Sequence, residues 1–305
     1  MDKLSAMRTF VRVVECGSFS AVADESQASQ SAVSKQVAAL EKALGTKLLI
    51  RTTRSLALSE AGARYFAQVR RLTAEIAEAE SDLATGEGQL RGGLRVAAAV
   101  GYGRLKLMPL VKSFMAAHPD VHIDLRLHDG FIDLVEQGID VSVRIGELPE
   151  SGLIARPIGT SHRMLLAHRD YLRALPHGVR VPREPEDLAG HDCIVYTGMA
   201  NSNLWTFTAG PGASEPRGTR RSVRVQGHLQ SNSSEVIRSA VNGAMGIGYA
   251  PTWLFEPELA RAEVVRLLPE WESPQSPIHL VSPPERKYSA KVKAFVAHVA
   301  QGLNA

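Results

Sequence analysis

Two helix-length segments joined by a short turn lie between Gly17 and Gly45, and they constrain the fold more than any other part of the chain. Ser18 can cap the first helix and Ser29 the second, because a serine hydroxyl accepts a hydrogen bond from a free amide of the first turn. The pattern predicts a helix-turn-helix. The apolar residues spaced for its inner face are Phe19, Val22, Ala23, Ala32, Val33, Val37 and Leu40, and the turn residues are Ser26, Gln27 and Ala28.

The outer face of the second helix carries amide, hydroxyl and ammonium groups. Such a face can enter the major groove of DNA, where Gln pairs with adenine and Lys with guanine. The acid Glu41 comes later in the helix, away from its N-terminus. A surface helix pair in another all-helical module is the alternative. The pattern leaves Gln30, Ser31, Ser34, Lys35 and Gln36 on the outside.

A basic hairpin follows the helix pair. The stretch Thr46 to Leu58 alternates apolar and polar residues and carries Lys47, Arg51 and Arg54, which is the pattern of a wing. Residues 1–58 contain eight Lys and Arg against five Asp and Glu, and this surplus equals the formal net charge of +3 of the whole chain. Concentrating the surplus in one small module suits phosphate binding.

Three stretches of this region resemble the N-terminal signature of LysR-type transcriptional regulators: GSFSAVADES, SQSAVSKQVAALEKALGTKLL and RTTRSLALSEAG. The length of 305 residues also fits that family. The resemblance implies an α+β multidomain fold with an N-terminal winged helix-turn-helix, a long linker helix and a two-lobed α/β periplasmic-binding-protein-like effector domain. The DNA-contacting residues that it implies are Ser29, Gln30, Ser31, Ser34, Lys35, Arg51 and Arg54.

A long helix is predicted from Ser59 to about Gly86, because this stretch lacks proline, opens on a capping serine and closes on glycine. Its apolar residues form a narrow seam with a seven-residue repeat. The helix either packs on its own chain or pairs with a second copy, and the resemblance favours a dimerisation helix. The seam consists of Val69, Ile76 and Leu83, flanked by Phe66 and Leu72.

Short apolar strands alternate with amphipathic helices in the rest of the chain, which predicts α/β layers. Two lobes with crossovers near Gly159 and Leu268 account for the pattern. The predicted strands are Leu94–Val100, Val121–His128, Ile139–Ile145, Met164–His168, Cys193–Tyr196, Val223–His228, Gly246–Ala250 and Ile278–Ser282, and the predicted helices are Arg104–Ala117, Phe131–Gln137, Ser234–Asn242 and Tyr288–Ala300.

The segments DVSVRIGELPESGLIARPIG and NGAMGIGYAP resemble the regulatory half of the same family. The domains expected are a winged helix-turn-helix over 1–58, a linker helix over 59–88 and an effector-binding domain over 89–305. Within the last, lobe I takes residues 94–160 and 269–305, and lobe II takes residues 161–268.

A small, anionic effector is expected between these lobes. In open α/β folds a ligand binds beyond the carboxyl ends of strands, near helix N-termini whose amides favour an anion. Arg144 is a candidate counter-charge, with a structural ion pair as its alternative role. The effector-binding candidates are Val100, Gly101, Tyr102, Asp129, Arg144, Thr197, Ser231 and Asn232.

Other classes of protein are disfavoured. No apolar run reaches the ~20 residues that span a bilayer, and the N-terminus predicts an amphipathic helix instead of a signal peptide, so a cytoplasmic location is expected. Cys16 and Cys193 indicate neither a disulfide framework nor a zinc site. The strand histidines His122 and His128 alternate with apolar residues, which favours a structural role over a metal site. No cofactor and no catalytic constellation is predicted.

The leading hypothesis is a DNA-binding regulator whose effector shifts the lobes and thereby the DNA-reading pairs. Its expected partners are double-stranded promoter DNA, an effector of unknown identity, RNA polymerase and further copies of itself, as a dimer through the linker helix and a tetramer by family resemblance. Three alternatives stay open: a solute receptor or enzyme built on the α/β half, an architectural DNA-coating protein without a ligand, and a thiol-based redox switch.

Overall fold

The computed structural model describes residues 2–51, 56–84, 90–199 and 201–304. The described residues up to position 84 and those from position 90 form two compact units, and each is described by itself. The first unit consists of helices α1 (Lys3–Cys16), α2 (Phe19–Glu25), α3 (Gln30–Leu44) and α4 (Glu60–Ala84), with strands β1 (Leu49–Arg51) and β2 (Leu56–Leu58).

The serine caps confirm the predicted helix-turn-helix. The hydroxyl of Ser18 accepts a hydrogen bond from the amide of Ala21 at 3.3 Å, and that of Ser29 accepts one from Ala32 at 3.2 Å. Helix α3 ends at Gly45, whose φ of +65° is left-handed and favours glycine. These local signals therefore place both ends of α3 where the sequence predicts them.

Two orientations predicted for α3 are wrong. Ala32 is exposed, although the pattern assigned it to the inner face. Gln36 is partly buried, because its side chain bonds with the Thr9 hydroxyl at 2.9 Å and the Ser5 hydroxyl at 3.1 Å. The side-chain amide of Gln36 therefore bonds to two hydroxyls of α1 and holds α3 against α1. It does not face outward.

The core of the first unit lies between α1, α3 and the first turns of α4. Phe10 is fully buried, and its ring contacts those of Tyr65 and Phe66 with centroids 5.9 and 6.3 Å apart. Valine and leucine side chains make up most of the rest of this core, and their burial together with that of Phe10 stabilises the unit. The strands β1 and β2 pair antiparallel with Leu49 opposite Leu58, which confirms the hairpin of the wing.

The described residues of the second unit form three sheets. Their strands are β3 (Gly92–Ala98), β4 (Val121–Leu127), β5 (Val141–Ile145), β6 (Ile154–Ser161), β7 (Arg163–His168), β8 (Cys193–Tyr196), β9 (Leu204–Ala209), β10 (Arg220–Arg224), β11 (Gln230–Ser231), β12 (Ile247–Pro251), β13 (Val264–Leu267), β14 (Trp271–Glu272) and β15 (Ser276–Ser282). The first sheet has the order β4-β3-β5-β15-β6, the second β11-β8-β12-β7-β13, and the small third β10-β9-β14.

Helices cover these sheets. Their bounds are α5 (Val100–Tyr102), a π-helix (Gly103–Leu107), α6 (Met108–Ala117), α7 (Arg169–Arg173), α8 (Ser234–Asn242), α9 (Glu256–Ala260), α10 (Ala290–Asn304) and the 3-10 helices Pro185–Gly190, Thr252–Phe255 and Pro284–Tyr288.

The predicted helix over Phe131–Gln137 is wrong. The carboxylate of Asp133 accepts hydrogen bonds from the amides of Val135 and Glu136 at 2.8 and 3.0 Å, so it closes a local turn. Gly138, with φ of +62°, ends that turn before a second one forms. The strand predicted over Val223–His228 is also misplaced, because pairing with β9 ends at Arg224.

The chain passes from the first sheet to the second between Ser161 and Arg163, and returns between Glu272 and Ser276. The residues before the first crossing and after the second therefore build one lobe, and the residues between the two crossings build the other. The lobes contact each other through the ring of Tyr102 on Trp253, with centroids 5.2 Å apart, and through the ion pair of Arg104 with Glu235 at 2.9 Å. These contacts join the two lobes.

Candidate functional site

The N-terminal turns of α3 present the predicted DNA-facing side chains. Gln30, Ser31 and Lys35 are exposed, and within the described part of the chain neither Gln30 nor Lys35 has a hydrogen-bonding or charged partner. The hydroxyl of Ser31 lies 3.0 Å from that of Ser29. Ser34 is partly buried and already has an interaction partner within the protein. An exposed helix N-terminus with free amide and ammonium groups matches what a major groove requires.

A buried carboxylate connects the recognition helix to the wing. Glu41 is 7% exposed, and its Oε1 accepts hydrogen bonds from the amides of Leu48 and Leu49 at 2.9 and 3.1 Å. Its Oε2 lies 2.7 Å from Nζ of Lys47. Burial raises the pKa of Glu41, but Lys47 and the two amides outweigh it, so that the pKa is lowered overall. Glu41, near the end of α3, therefore fixes the start of the hairpin formed by β1 and β2.

The predicted wing residues are only partly described. Arg51 ends β1, but its side chain lies outside the described residues, as does all of Arg54. Another acid near the helix pair is already paired, because Glu25 accepts a two-pronged hydrogen bond from Arg12 at 2.8 and 2.9 Å. That pairing removes one negative charge from the surface that would approach phosphate.

The predicted seam of α4 divides into two parts. Val69 is buried in the core of its own unit, so this residue packs on its own chain. Leu72 and Ile76 are 44% and 38% exposed, which leaves part of the seam on the surface. The side chain of Leu83 lies outside the described residues.

A cavity of about 280 Å³ lies between the two lobes of the second unit. Ligand pockets of proteins are commonly ~300–1,000 Å³, so this one suits a compact molecule. Its walls are largely apolar and aromatic, with a few polar groups. The main lining residues are Ala98, Ala99, His128, Asp129, Phe131, Ser142, Val143, Arg144, Ser161, Arg163, Tyr196, Met199, Ser234, Ile237, Tyr249, Trp253, Leu254 and Ser276.

Two of the predicted effector-binding residues line this cavity. Asp129 accepts hydrogen bonds from the amide of Val100 at 2.9 Å and from the amide and hydroxyl of Ser234 at 2.8 and 3.0 Å. The guanidinium of Arg144 lies 4.0 Å from the centroid of the Phe131 ring and donates to the carbonyl of Ile132 at 2.8 Å. Burial lowers the pKa of Arg144. Arg144 makes no salt bridge among the described residues, although the nearby charge of Asp133 partly opposes the lowering of its pKa.

The other predicted effector residues lie around the cavity and not in its lining. Gly101 and Tyr102 pack between the lobes, where an added Cβ on Gly101 would come within 2.9 Å of Leu254. Burial raises the pKa of Tyr102 to about 12. Thr197 donates from its amide to Ser231 at 2.8 Å, which supports the edge of the second sheet. Val100 contributes its amide to Asp129, and Asn232 is exposed.

Sequence reasoning missed the most enclosed cation of the cavity. Arg163 begins β7, and its guanidinium lies 6.0 and 5.7 Å from the ring centroids of Tyr196 and Tyr249. Burial lowers the pKa of Arg163, although the two tyrosines oppose this. The signal in the sequence is weak, since an arginine at the start of a strand after Ser161 is unremarkable until the pairing of β7 with β12 is known.

Neither a membrane helix nor a metal cluster is found in the described ranges. No helix there is long and apolar enough to cross a bilayer. No group of three or more His, Cys, Asp and Glu side chains there is placed to hold a metal ion. His128 instead accepts a hydrogen bond from the amide of Gly130 at 2.9 Å.

Two family models match the chain. Residues 4–63 match the model described as "Bacterial regulatory helix-turn-helix protein, lysR family", and residues 87–304 match the "LysR substrate binding domain". The first match contains the helix pair and wing, and the second contains both lobes and the cavity between them. Residues 64–86, which include most of α4, lie between the two matches.

Relatives match over nearly the whole chain. The regulator CrgA of Neisseria meningitidis serogroup C is 32% identical over 97% of this chain and 96% of its own length. Among solved structures, CrgA of Neisseria meningitidis has a TM-score of 0.61 at 31% identity, covering 99% of both chains. The virulence activator AphB of Vibrio cholerae has a TM-score of 0.62 at 26% identity, covering 98% of both.

The chain belongs to the LysR family of bacterial transcriptional regulators. It is a DNA-binding regulator with a helix-turn-helix and a substrate-binding effector domain, and the predicted fold class is confirmed. Members of this family bind promoter DNA and small-molecule effectors, and they oligomerise. The curated relatives are named transcriptional regulators.

Proposed function

We propose that the N-terminal face of α3 reads promoter DNA and that a small anionic effector in the cavity between the lobes modulates the output. The observation that supports the first part is a pair of exposed polar side chains, Gln30 and Lys35, that have no partner among the described residues. They lie on a helix held by the contacts of Gln36 and Glu41. A rigid mount matters because base contacts depend on the position of each polar atom.

The contacts to DNA divide into two kinds. Gln30 and Lys35 are the candidates for base edges, because Gln matches adenine and Lys guanine. Ser29, Ser31 and Ser34, with Arg51 and Arg54 of the wing, are candidates for phosphate contacts, which position the protein without reading sequence. Substitution of Gln30 or Lys35 should therefore reduce sequence specificity. Substitution of a phosphate-contact candidate should weaken binding to all DNA sequences equally.

The assembly proposed is a dimer through α4 that pairs further into a tetramer. Support for the dimer comes from the exposed apolar side chains Leu72 and Ile76, which follow one another by four residues along one face. Two recognition helices held in one dimer bind two half-sites, and linking two weak contacts raises the overall affinity. RNA polymerase is the further partner proposed, in the cytoplasm where promoter DNA is found.

The domain division proposed is DNA binding by residues 1–58, dimerisation by 59–88 and effector binding by 89–305. An effector in the cavity contacts both lobes at once. It therefore favours lobe arrangements that fit it and shifts their populations by its differential affinity, with no reaction catalysed. Regulation of this kind requires no catalytic group and no cofactor.

The test of this function is a footprint of the full-length protein on the DNA upstream of its own and neighbouring genes, at several salt concentrations. We expect protected patches spaced by whole helical turns, about 10 base pairs each. Lys35→Ala removes a groove-facing ammonium and is expected to abolish the patches. Lys42→Ala is the matched control, because it removes the same group from an exposed position two turns further along α3.

Three outcomes decide the question. Discrete patches that survive in Lys42→Ala and vanish in Lys35→Ala support sequence reading by the start of α3. Equal loss in both variants contradicts the assignment to the first turns. Diffuse, salt-labile protection in all three proteins favours an architectural DNA-binding protein, because phosphate contacts alone give that behaviour.

A further inference from the structure

Arg163 is a cation without an anionic partner among the residues that the structure describes. Its side chain is partly buried between the rings of Tyr196 and Tyr249, and an Nη atom points at the sulfur of Met199. No carboxylate and no carbonyl oxygen within the described ranges accepts a hydrogen bond from its guanidinium. Thioether sulfur is a weak acceptor, so the strong donors of this guanidinium are largely unused.

A partly buried guanidinium with unused donors destabilises the ligand-free protein. A guanidinium withdrawn from water loses hydration, and only a well-placed anion compensates fully for that loss. The two tyrosine rings offer cation–π attraction, which recovers a part of it. Because Arg163 also lines the cavity between the lobes, its free donors are available to a molecule bound there.

The other anion position of the cavity is already occupied by the protein. The N-termini of the helices that begin at Val100 and Ser234 converge from the two lobes, and each directs an amide at the carboxylate of Asp129. Helix N-termini are where a ligand carboxylate would otherwise bind. A second anionic group placed here would meet the negative charge of Asp129 and be repelled.

We propose that the effector is a monocarboxylate with a compact apolar body, and that its carboxylate binds Arg163. The inference rests on the proposed effector function and names the ligand class and its anchor. One carboxylate is paired by Arg163, because a guanidinium fork matches a carboxylate with two parallel hydrogen bonds. A dicarboxylate is expected to bind more weakly, because Arg163 can pair only one of its groups and a second group near Asp129 is repelled.

The walls of the cavity define the body of this ligand. Phe131, Tyr196, Tyr249 and Trp253 supply aromatic surface, and Ile237 supplies aliphatic surface. A volume of about 280 Å³ admits one ring or a short branched chain. The apolar body is buried against these side chains, and it contributes affinity in proportion to the area removed from water.

Arg144 is less suited to be the anchor. It already donates to the carbonyl of Ile132 and stacks on Phe131, so part of its hydrogen-bonding capacity is used within the protein. It holds the loop after β4 against the cavity. A ligand carboxylate would have to compete with those contacts, whereas at Arg163 it meets unused donors.

The experiment measures ligand-induced shifts of the thermal unfolding midpoint of the full-length protein. The probes are benzoate, phenylacetate, cyclohexanecarboxylate and isovalerate, each compared with its own amide and with the dicarboxylate phthalate. We expect at least one monocarboxylate to raise the midpoint in a saturable way, because a ligand that binds only the folded state stabilises it by mass action. The matching amide and phthalate are expected to bind at least about tenfold more weakly.

The variants are Arg163→Met and Arg163→Lys, with Arg169→Met as the matched control on an exposed arginine just after the same strand. Arg163→Met should fold, because methionine keeps the length and removes an unpaired cation. We expect it to weaken the monocarboxylate by about tenfold or more, Arg163→Lys to weaken it less, and Arg169→Met to leave it unchanged.

Several results would overturn the proposal. Absence of any stabilisation of the wild type by the four monocarboxylates contradicts it, as does equal stabilisation of Arg163→Met. Equal stabilisation by acids and amides removes the role of Arg163 but keeps the cavity as the effector site. The footprint is measured separately, so a failed footprint with intact, Arg163-dependent carboxylate binding contradicts the DNA assignment alone.

Discussion

Oδ2 of Asp129 accepts hydrogen bonds from both the backbone amide and the hydroxyl of Ser234, at 2.8 and 3.0 Å. Asp129 follows β4 of the first lobe, and Ser234 begins α8 of the second. The other oxygen of Asp129 accepts the amide of Val100 at 2.9 Å. One carboxylate therefore bridges the lobes and lies at two helix N-termini, whose dipoles favour its negative charge.

Asp129→Asn is expected to loosen this bridge. The asparagine amide can accept hydrogen bonds through only one of its two terminal atoms, so one helix N-terminus loses its acceptor and both lose the charge. Hydrogen bonds to charged groups contribute about 1.5–3 kcal/mol, and we expect a loss of that order. All three tryptophans lie in the second unit, so urea unfolding followed by tryptophan fluorescence measures this unit alone.

Asp133→Asn is the matched control for this variant. In the described ranges, the hydrogen bonds accepted by the Asp133 carboxylate come from the amides of Val135 and Glu136, which are its neighbours in a local turn. Its replacement removes a charge from the same loop but leaves the two lobes connected. A loss of stability as large as that of Asp129→Asn would show that loop charge, and not the bridge, is responsible.

Two variants of Ser29 separate helix capping from DNA binding. Ser29→Ala removes the acceptor for the amide of Ala32, and loss of an N-cap serine costs about 1 kcal/mol. Ser29→Asp keeps an acceptor and suits the helix dipole, so the stability of the first unit is expected to remain near that of the wild type. It also places a negative charge at the proposed phosphate contact, which should weaken DNA binding.

The measurement combines circular dichroism of unfolding with DNA binding at two salt concentrations. Ser29→Asp should bind DNA more weakly than Ser29→Ala and regain part of the difference as salt rises, because salt screens the added charge. If Ser29→Asp bound DNA as well as the wild type, Ser29 would lie away from phosphate. Ser18→Asp, at the cap of α2, provides the comparison for an acidic cap on the other helix.

Glu41 makes the stability of the first unit dependent on acid pH. The pKa of its carboxyl is lowered below the ordinary value of 4.5, because Lys47 and the amides of Leu48 and Leu49 outweigh the opposing effect of burial. Its contribution is therefore complete above pH 4.5 and is lost as the pH falls through the lowered pKa. Glu41→Gln is expected to cost about 1–3 kcal/mol at neutral pH.

The difference between wild type and Glu41→Gln should shrink as the pH falls below 4.5, because protonation removes the same interactions in the wild type. Hydrogen exchange of the Leu48 amide follows this site directly, since that amide donates to Glu41 at 2.9 Å. Glu60→Gln is the control, because Glu60 forms an exposed ion pair with Arg64 and no other ion pair within the described part of the chain. A difference that stayed constant across this pH range would contradict the assignment.

Local signals explain which elements could be predicted. The serine caps at Ser18 and Ser29 act through hydrogen bonds three residues away, so the start of each helix is visible in the sequence. The helix Ser234–Asn242 and the strand Cys193–Tyr196 were predicted with the bounds they have in the structure. Each is short, strongly apolar on its buried side and bounded by polar residues.

Side-chain competition explains the elements that were not predicted. Phe131–Gln137 has the spacing of an amphipathic helix, yet the Asp133 carboxylate takes two amides for a local turn. Gln36 has the composition of an exposed position, but hydroxyls of α1 lie within its reach. Neither partner can be identified until the tertiary contacts are known.

The cavity depends on contacts that no local pattern contains. Arg163 acquires Tyr249 as a neighbour because β7 and β12 pair antiparallel with Leu165 opposite Tyr249. Tyr196 arrives at the end of β8, which pairs with β12 from the other side. The rule that ligands bind beyond strand ends led to Asp129 and Arg144, but it could not identify an arginine at the start of a strand.

The two cysteines are expected to differ sharply in reactivity. Burial raises the pKa of Cys193 to about 12, so its thiol stays protonated at pH 7, whereas the thiolate is the reactive form. Cys16 is exposed and serves as the internal control. With iodoacetamide in the folded protein, mass spectrometry should find Cys16 modified and Cys193 intact, and both modified in guanidinium chloride.

Peroxide should leave Cys193 reduced and the DNA footprint unchanged, whereas oxidation of Cys193 with loss of the footprint would support the redox switch instead.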